Sequence, residues 1–329
     1  MLANPAAVEE RMKQLCLGEG DPALGRIAWE HIGSGGKRLR ARLALSAVVA
    51  LGGRLDDGVA WGAACELLHN ASLIHDDIQD GDRYRRGKQA LWVRHGVAQA
   101  INAGDLCVTL GYLAIDTAPL PDALRWQLAR VMASSSRKIV EGQAAEMGLL
   151  ISGVPGWSEY ASCVEGKTSA LFALPIEGAA LIAGRSAAQA SSLAAACRPV
   201  GLLFQIQDDI VDLYGDNGRE MRGSDLAQAS KTSALVVEHL RLHPGERASL
   251  LDVLGLPRGE TSREAIEQVI ARFQSGGALA AVWQRIDAVQ RELRASGTLR
   301  REPVLHELIE RLVTEVLRTV EHTRKGQAS

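Results

Sequence analysis

Apolar positions along this chain recur at steps of three and four rather than two. Ala63, Leu67, Ala71, Ile74 and Ile78 form one stripe, and Leu279, Val282, Ile286, Val289 and Leu293 a second. Leu305, Leu308, Leu312 and Val316 form a third. That spacing follows one face of a 3.6-residue helix, so it predicts an amphipathic α-helix at each place. Alternating runs of β-branched residues are hard to find anywhere. Breaks fall at Gly52-Gly53, Pro119 to Pro121, Gly153 to Gly156, Gly215 to Gly223, Pro244-Gly245, Gly255 to Gly259 and Gly276-Gly277. None is long enough to be an interdomain linker. The expectation is one all-α domain over residues 1–329, a single large bundle of roughly ten or more helices.

Composition narrows the class. Aromatic residues are only 4% and alanine is abundant, which favours closely packed helices. Hydrophobic residues at 47% and charged residues at 23% are the balance of a soluble globular protein. A formal net charge of -2 argues against a general nucleic-acid binder and a polybasic membrane patch. The five cysteines (16, 65, 107, 163 and 197) contain no CxxC pair, which fits reduced thiols in a cytosol. Glu9, Glu10 and Arg11 come where a signal peptide would be apolar, and no apolar run reaches about 20 residues. A cytoplasmic protein without a spanning helix is expected; a membrane-bound substrate is compatible with that.

The chemistry concentrates in two aspartate clusters of one pattern, Asp76-Asp77-x-x-Asp80 and Asp208-Asp209-x-x-Asp212. Each lies inside apolar, helix-patterned sequence, where residues four apart share a face. Three like charges on one helical turn repel one another unless a multivalent cation neutralises them. All-oxygen ligands select a hard cation such as magnesium. The motifs lie 208 − 76 = 132 residues apart and are expected to face one another across a bundle, as metal sites in bundles often do. His69 lies two turns before Asp76 on the same face, and Ser72 one turn before.

Cations flank the first motif. Arg83-Tyr84-Arg85-Arg86-Gly87-Lys88 follows it at once, and Gly33-Ser34-Gly35-Gly36-Lys37-Arg38-Leu39-Arg40 lies upstream. Carboxylates do not bind phosphate directly, but metals bridge the two and arginines satisfy the remaining oxygens. The upstream segment has glycines for close backbone approach, with Lys37 and Arg40 a turn apart, yet lacks the GxxxxGK[ST] spacing of a nucleotide P-loop. It reads as a second phosphate cradle. Gln205 shares the face of Asp208, Asp209 and Asp212; Lys167-Thr168 precedes that motif and Lys231-Thr232 follows it.

Taken in order, GGKRLR, HDDIQD with RRGK, KT, FQIQDD, a glycine-rich loop and a lysine, the motifs from Gly35 to Lys231 resemble the trans-isoprenyl diphosphate synthases. That resemblance implies an all-α bundle around a deep central cavity, the isoprenoid synthase type I fold, and usually a homodimer. It implies an enzyme that joins an allylic diphosphate to isopentenyl diphosphate. Asp76, Asp77, Asp80, Asp208, Asp209 and Asp212 would hold about three magnesium ions on the allylic diphosphate. Arg85, Lys167 and Lys231 would contact the same diphosphate. Gly36, Lys37, Arg40, His69 and Arg86 match the isopentenyl diphosphate pocket, and Thr168 and Gln205 the positions facing the developing carbocation.

Departures from the pattern are confined to loops. Gly218 to Asp225 carries Arg219 and Arg222 where many relatives have lysine, and the choice between them stays open. Gln89-Ala90 replaces the usual Pro-Thr. A class I terpene synthase is the alternative, but its second motif has the form (N/D)Dxx(S/T)xxxE; the corresponding residues here are Asp209, Asp212 and Asp216, without the hydroxyl or the glutamate. A non-catalytic length-modifying subunit commonly loses an aspartate motif, and both are intact. In such synthases the residues four and five before the first aspartate belong to the cavity floor. Ser72 and Ala71 are small, so the expected product is geranylgeranyl diphosphate or somewhat longer. Farnesyl remains the outcome if Leu106, Val108 or Tyr112 closes the tube.

Overall fold

A computed structural model describes residues 2–18, 22–149, 156–215, 233–254 and 261–325. The elements in order are α1 (Ala6–Leu17), α2 (Ala23–Ile32), α3 (Leu39–Ala50), α4 (Val59–Gln79), β1 (Tyr84–Arg85), β2 (Lys88–Gln89), α5 (Leu91–His95), α6 (Val97–Asp116) and α7 (Asp122–Leu149). They continue with α8 (Trp157–Val164), α9 (Ala170–Ile182), α10 (Ala187–Cys197), α11 (Pro199–Tyr214), α12 (Ala234–Leu242), α13 (Arg247–Leu254), α14 (Arg263–Ser275), α15 (Ala278–Ala295), α16 (Gly297–Arg300), α17 (Pro303–Arg318) and α18 (Glu321–Lys325). The all-α expectation holds. Among the described residues its exception is the antiparallel pair β1–β2, in which Tyr84 faces Gln89 and Arg85 faces Lys88. No described helix is long and apolar enough to cross a membrane.

Two compact units emerge, each assembled from separated stretches of chain. The first comprises Met1–Arg137, Leu171–Cys197 and Gly297–Leu308. Its central helix is α4, where every residue from Ala60 to Leu68 is buried. A helix apolar all round belongs in a core. Packing against α6 is antiparallel: a Cβ at Gly104 would fall 2.2 Å from His75 Nε2, and one at Gly111 3.4 Å from the Ala64 carbonyl. The Trp61 ring lies over Gly178 of α9, and its Nε1 donates to the Pro175 carbonyl at 3.1 Å. Glu66, almost fully buried, accepts the Ala41 N–H at 3.1 Å. A carboxylate from α4 thus satisfies an orphan amide in the first turn of α3, where a helix is electropositive.

The second unit comprises Lys138–Ala170, Arg198–Ser296 and Ile309–Ser329. Val200, Leu203, Ile206, Ile210 and Leu213 bury one stripe of α11. Leu279, Val282, Ile286, Val289 and Leu293 do the same on α15. α17 begins in the first unit, where Leu305 is buried, and in the second buries Ile309, Leu312 and Val316, so Ile309 occupies the buried place expected for Leu308. Glu238, with 0% of its surface exposed, accepts from Arg241 at 2.6 Å and Arg285 at 2.9 Å, and the Arg285 guanidinium stacks on Trp157 at 4.5 Å. These contacts tie α8, α12 and α15 together.

Candidate active site

Both aspartate motifs occupy the last two turns of their helices, α4 and α11. Free carbonyls give a helix C-terminus a partial negative charge, so acidic side chains there are doubly unfavourable and cations favoured. α4 ends in a Schellman turn: Gly81 has φ 66°, its N–H donates to the Ile78 carbonyl, and the Asp82 N–H to the Asp77 carbonyl at 2.8 Å. Glycine tolerates that left-handed position, which closes the helix just after Asp80.

In the first motif Asp76 and Asp80 are half-buried while Asp77 is buried. Arg85 Nε donates to Asp77 Oδ1 at 2.5 Å, but Asp77 Oδ2 is buried without a hydrogen-bond partner. Burial pushes the Asp77 carboxyl up to about 6, outweighing the pull of Arg85, with Asp82 and Asp76 adding to the rise. A carboxylate short of positive charge is the condition a bound cation relieves. The donor set therefore fits magnesium. Among the described residues no three His, Cys, Asp or Glu side chains already form a metal cage.

Around this motif in the first unit gathers a set of cations. A Cβ at Gly36 would fall 2.9 Å from Arg86 Cζ, and Arg86 Nη1 donates to the Gly35 carbonyl. Buried Arg40 approaches His69 Nε2 at 3.2 Å and lies over the Phe172 ring at 4.8 Å. Lys37 is exposed. Burial lowers Arg40 to about 10, with Glu66 opposing and Arg86 adding to the fall. His69 is held well below the usual histidine range, first by burial and then by Arg40, Arg86, Arg85 and His31, and its buried Nδ1 has no partner. His31 is lowered to about 3 by burial and by Arg85, Arg86 and Arg38. Burial leads each of these shifts, and the neighbouring cations add to it by mutual repulsion. Ala71 is buried; Ser72 is half-buried, its hydroxyl donating to the His69 carbonyl at 2.8 Å.

The second unit arranges Lys167, Thr168 and Gln205 about the other motif. Glu165–Ser169 forms a π-helical turn between α8 and α9, a distortion frequent at functional sites. Two glycines let neighbouring backbones reach it: a Cβ at Gly142 of α7 would fall 2.6 Å from the Lys167 nitrogen, and one at Gly201 of α11 2.4 Å from Ser169 Cα. Lys167 pairs with Glu146 at 3.0 Å. Thr168 donates to Gln205 at 3.0 Å, and Gln205 to Asp209 Oδ1 at 3.1 Å. Asp209 Oδ2 accepts from the Tyr160 hydroxyl and from the Ala234 N–H, both at 2.7 Å. Burial still pushes Asp209 up to about 8 against those three donors, with Asp208 adding to the rise. Asp212 is buried and Asp208 half-buried.

Within the first unit Arg85 meets Asp77, Arg40 meets His69 and Arg86 lies against Gly36; within the second, Thr168, Gln205 and Asp209 form one hydrogen-bonded chain. Lys231, Arg219 and Arg222 lie outside the described residues. Sequence reasoning missed Tyr160, Arg38, Glu9 and Glu146. Tyr160 lies seven residues, two helical turns, before Lys167, a spacing that could have placed it on the same face.

Residues 21–273 match the family model Polyprenyl synthetase. The chain is 35% identical over 262 residues to the short chain isoprenyl diphosphate synthase of Methanothermobacter thermautotrophicus, covering 79% of this chain and 80% of that one. It is 33% identical over 250 residues to the geranylgeranyl diphosphate synthase of Methanosarcina mazei, covering 75% of each. The crystal structure of the Pyrococcus horikoshii geranylgeranyl pyrophosphate synthetase superposes with a TM-score of 0.79 at 27% identity, over 94% of this chain and 95% of that one. With a family match across most of its length, motifs in the family's order and the same helical fold, the chain belongs to the polyprenyl synthetase family.

Proposed function

We propose that the chain is a trans-prenyltransferase that elongates an allylic diphosphate with isopentenyl diphosphate, head to tail, and that residues 1–329 act as one synthase domain. The observation that carries this reading is the cation group of the first unit. Arg86 against Gly36, and Arg40 against His69, with Lys37 beside them, supply a diphosphate site additional to the carboxylate motifs. Ionisation and cyclisation of a single substrate would need no second diphosphate site; joining two diphosphates does.

Asp76, Asp77, Asp80, Asp208, Asp209 and Asp212 are the proposed magnesium ligands, about three ions being needed to cover the allylic diphosphate. Bound magnesium would neutralise that diphosphate and stabilise it as a leaving group. Arg85, Lys167 and Lys231 complete its oxygens by charge-assisted hydrogen bonds. Gly36, Lys37, Arg40, His69 and Arg86 hold isopentenyl diphosphate. The allylic C–O bond breaks, leaving diphosphate and a carbocation. The isopentenyl double bond attacks that carbon, and the resulting cation loses a proton, for which the departed diphosphate is the acceptor. No side-chain base is required. Thr168 and Gln205 turn oxygens toward the developing cation, and the apolar surroundings exclude water that would quench it.

Small Ala71 and Ser72 leave the floor open, which favours geranylgeranyl diphosphate or a somewhat longer product. The working state proposed is a homodimer in the cytoplasm. Purified protein given magnesium, isopentenyl diphosphate and each of the allylic diphosphates tests the reading. Release of diphosphate should require both substrates together; release from the allylic substrate alone would exclude it.

A further inference from the structure

We propose that Arg38 and Glu9 are positioning residues for isopentenyl diphosphate, holding the cradle that Lys37, Arg40 and Arg86 complete. This rests on the pocket assignment made above. Among the described residues, two that are not glycine have left-handed backbones, Arg38 with φ 50° and Arg86 with φ 54°. Unfavourable dihedrals persist where surrounding contacts over-determine them, and they cluster at binding sites. These two meet at one atom. The Gly35 carbonyl accepts from Arg38 Nη1 at 2.9 Å and from Arg86 Nη1.

Each nitrogen of the Arg38 guanidinium donates to protein. Its guanidinium is buried, with Nη2 donating to the Ile32 carbonyl at 2.5 Å and Nε to Glu9 Oε1 at 2.8 Å. One planar fork thus ties the C-terminus of α2, the glycine turn and α1 together. Gly35 and Gly36, both at φ 120°, leave the turn between them no side chain of its own to fix its shape. Arg38 supplies that rigidity, and Glu9 holds Arg38 in plane. Arg38 is only 5% exposed, so turning its guanidinium out toward a diphosphate would break these bonds. Its role is therefore exerted through Lys37 and Arg86, the first its chain neighbour and the second its partner on the Gly35 carbonyl.

The test is steady-state kinetics with each substrate varied at saturation of the other, on Arg38→Lys, Glu9→Ala and Glu9→Gln, with Lys37→Ala as reference. Arg38→Lys keeps the charge and loses the fork; it should raise KM for isopentenyl diphosphate about tenfold. Glu9→Ala should raise it about threefold to tenfold, and Glu9→Gln, which keeps an acceptor for Nε, should restore part of that loss. KM for the allylic substrate should stay near wild type, as should the melting temperature of the variants of half-exposed Glu9. Should Arg38→Lys fail to fold, the half-exposed Glu9 pair carries the test. A Lys37→Ala effect without any effect of Arg38→Lys or Glu9→Ala would overturn the positioning role and leave the pocket standing. No effect of Lys37→Ala on isopentenyl KM would remove the pocket and this role with it. A parallel rise in both substrates' KM values, with a fall in kcat and in the melting temperature of the Glu9 variants, would make the Arg38–Glu9 pair merely structural and also overturn the inference.

Discussion

Gly36→Ala puts one methyl group where the cradle has no room for it. The new Cβ would lie 2.9 Å from Arg86 Cζ and Nη2 and 3.2 Å from Nη1, at a residue whose φ is 120°. Carbon and guanidinium atoms in ordinary contact sit about 3.5 Å apart or more, so Arg86 must swing away or the turn must change shape. A left-handed backbone at a residue with a Cβ costs about 1–2 kcal/mol. A lost charge-assisted contact to diphosphate costs about 1.5–3 kcal/mol. At about 1.4 kcal/mol per tenfold, the contact alone predicts a rise in isopentenyl diphosphate KM of roughly 10- to 100-fold. Gly35→Ala separates the two effects, because Gly35 has the same φ of 120° and nothing within 4 Å of its Cβ. Initial rates with isopentenyl diphosphate varied should place Gly36→Ala well above Gly35→Ala, while the allylic KM moves less than about threefold in either. Equal effects of the two substitutions, or an unchanged isopentenyl KM in Gly36→Ala, would refute the reasoning.

Asp76→Ala or Asp208→Ala should cut turnover by orders of magnitude with the fold intact, because losing a metal ligand removes several kcal/mol of leaving-group stabilisation; near wild-type turnover at saturating magnesium would count against it. Ser72 lies about 6 Å below Asp76 along α4, at ~1.5 Å per residue, and Ala71 beside it is 2% exposed. Ser72→Phe and Ala71→Phe should therefore shorten the product toward farnesyl or geranyl diphosphate, read by chromatography after dephosphorylation; unchanged length in both would place the floor elsewhere. His31 titrates near 3 when folded against 6.5 ordinarily, so as pH falls below 6.5 the unfolded chain takes up the proton first. Stability present above that pH is then lost toward pH 3, at up to about 1.4 kcal/mol per unit. His31→Asn should remove that one-proton slope in denaturant titrations between these pH values, and an identical slope in the variant would contradict the assignment.

Much of this was legible in the chain. The stripes on α4 and α15 follow the 3.6-residue period, and the breaks at Gly52-Gly53, Pro119, Pro244-Gly245 and Gly276-Gly277 fall between elements. Period alone could not choose between Leu308 and Ile309 on α17, since both lie within one turn of Leu305. The hairpin at Tyr84–Arg85 and Lys88–Gln89 was illegible because two-residue strands carry no alternation. Nor does sequence mark the π turn of Lys167, whose shape depends on Gly142 and Gly201 meeting it from other helices. The candidate cations and carboxylates were readable from spacing and charge. Their partners were not: Tyr160 reaches Asp209 from 49 residues away and Glu9 reaches Arg38 from 29, separations that only tertiary packing closes.

The account stands most directly on whether the chain joins two diphosphates. Purified protein incubated with labelled isopentenyl diphosphate, an unlabelled allylic primer and magnesium, followed by chromatography of the dephosphorylated products, measures that. The predicted result is label in a linear prenyl chain of geranylgeranyl length or somewhat longer, formed only when primer and magnesium are both present. Label remaining in isopentenyl diphosphate, with the primer converted to a cyclic hydrocarbon or left intact, would contradict it.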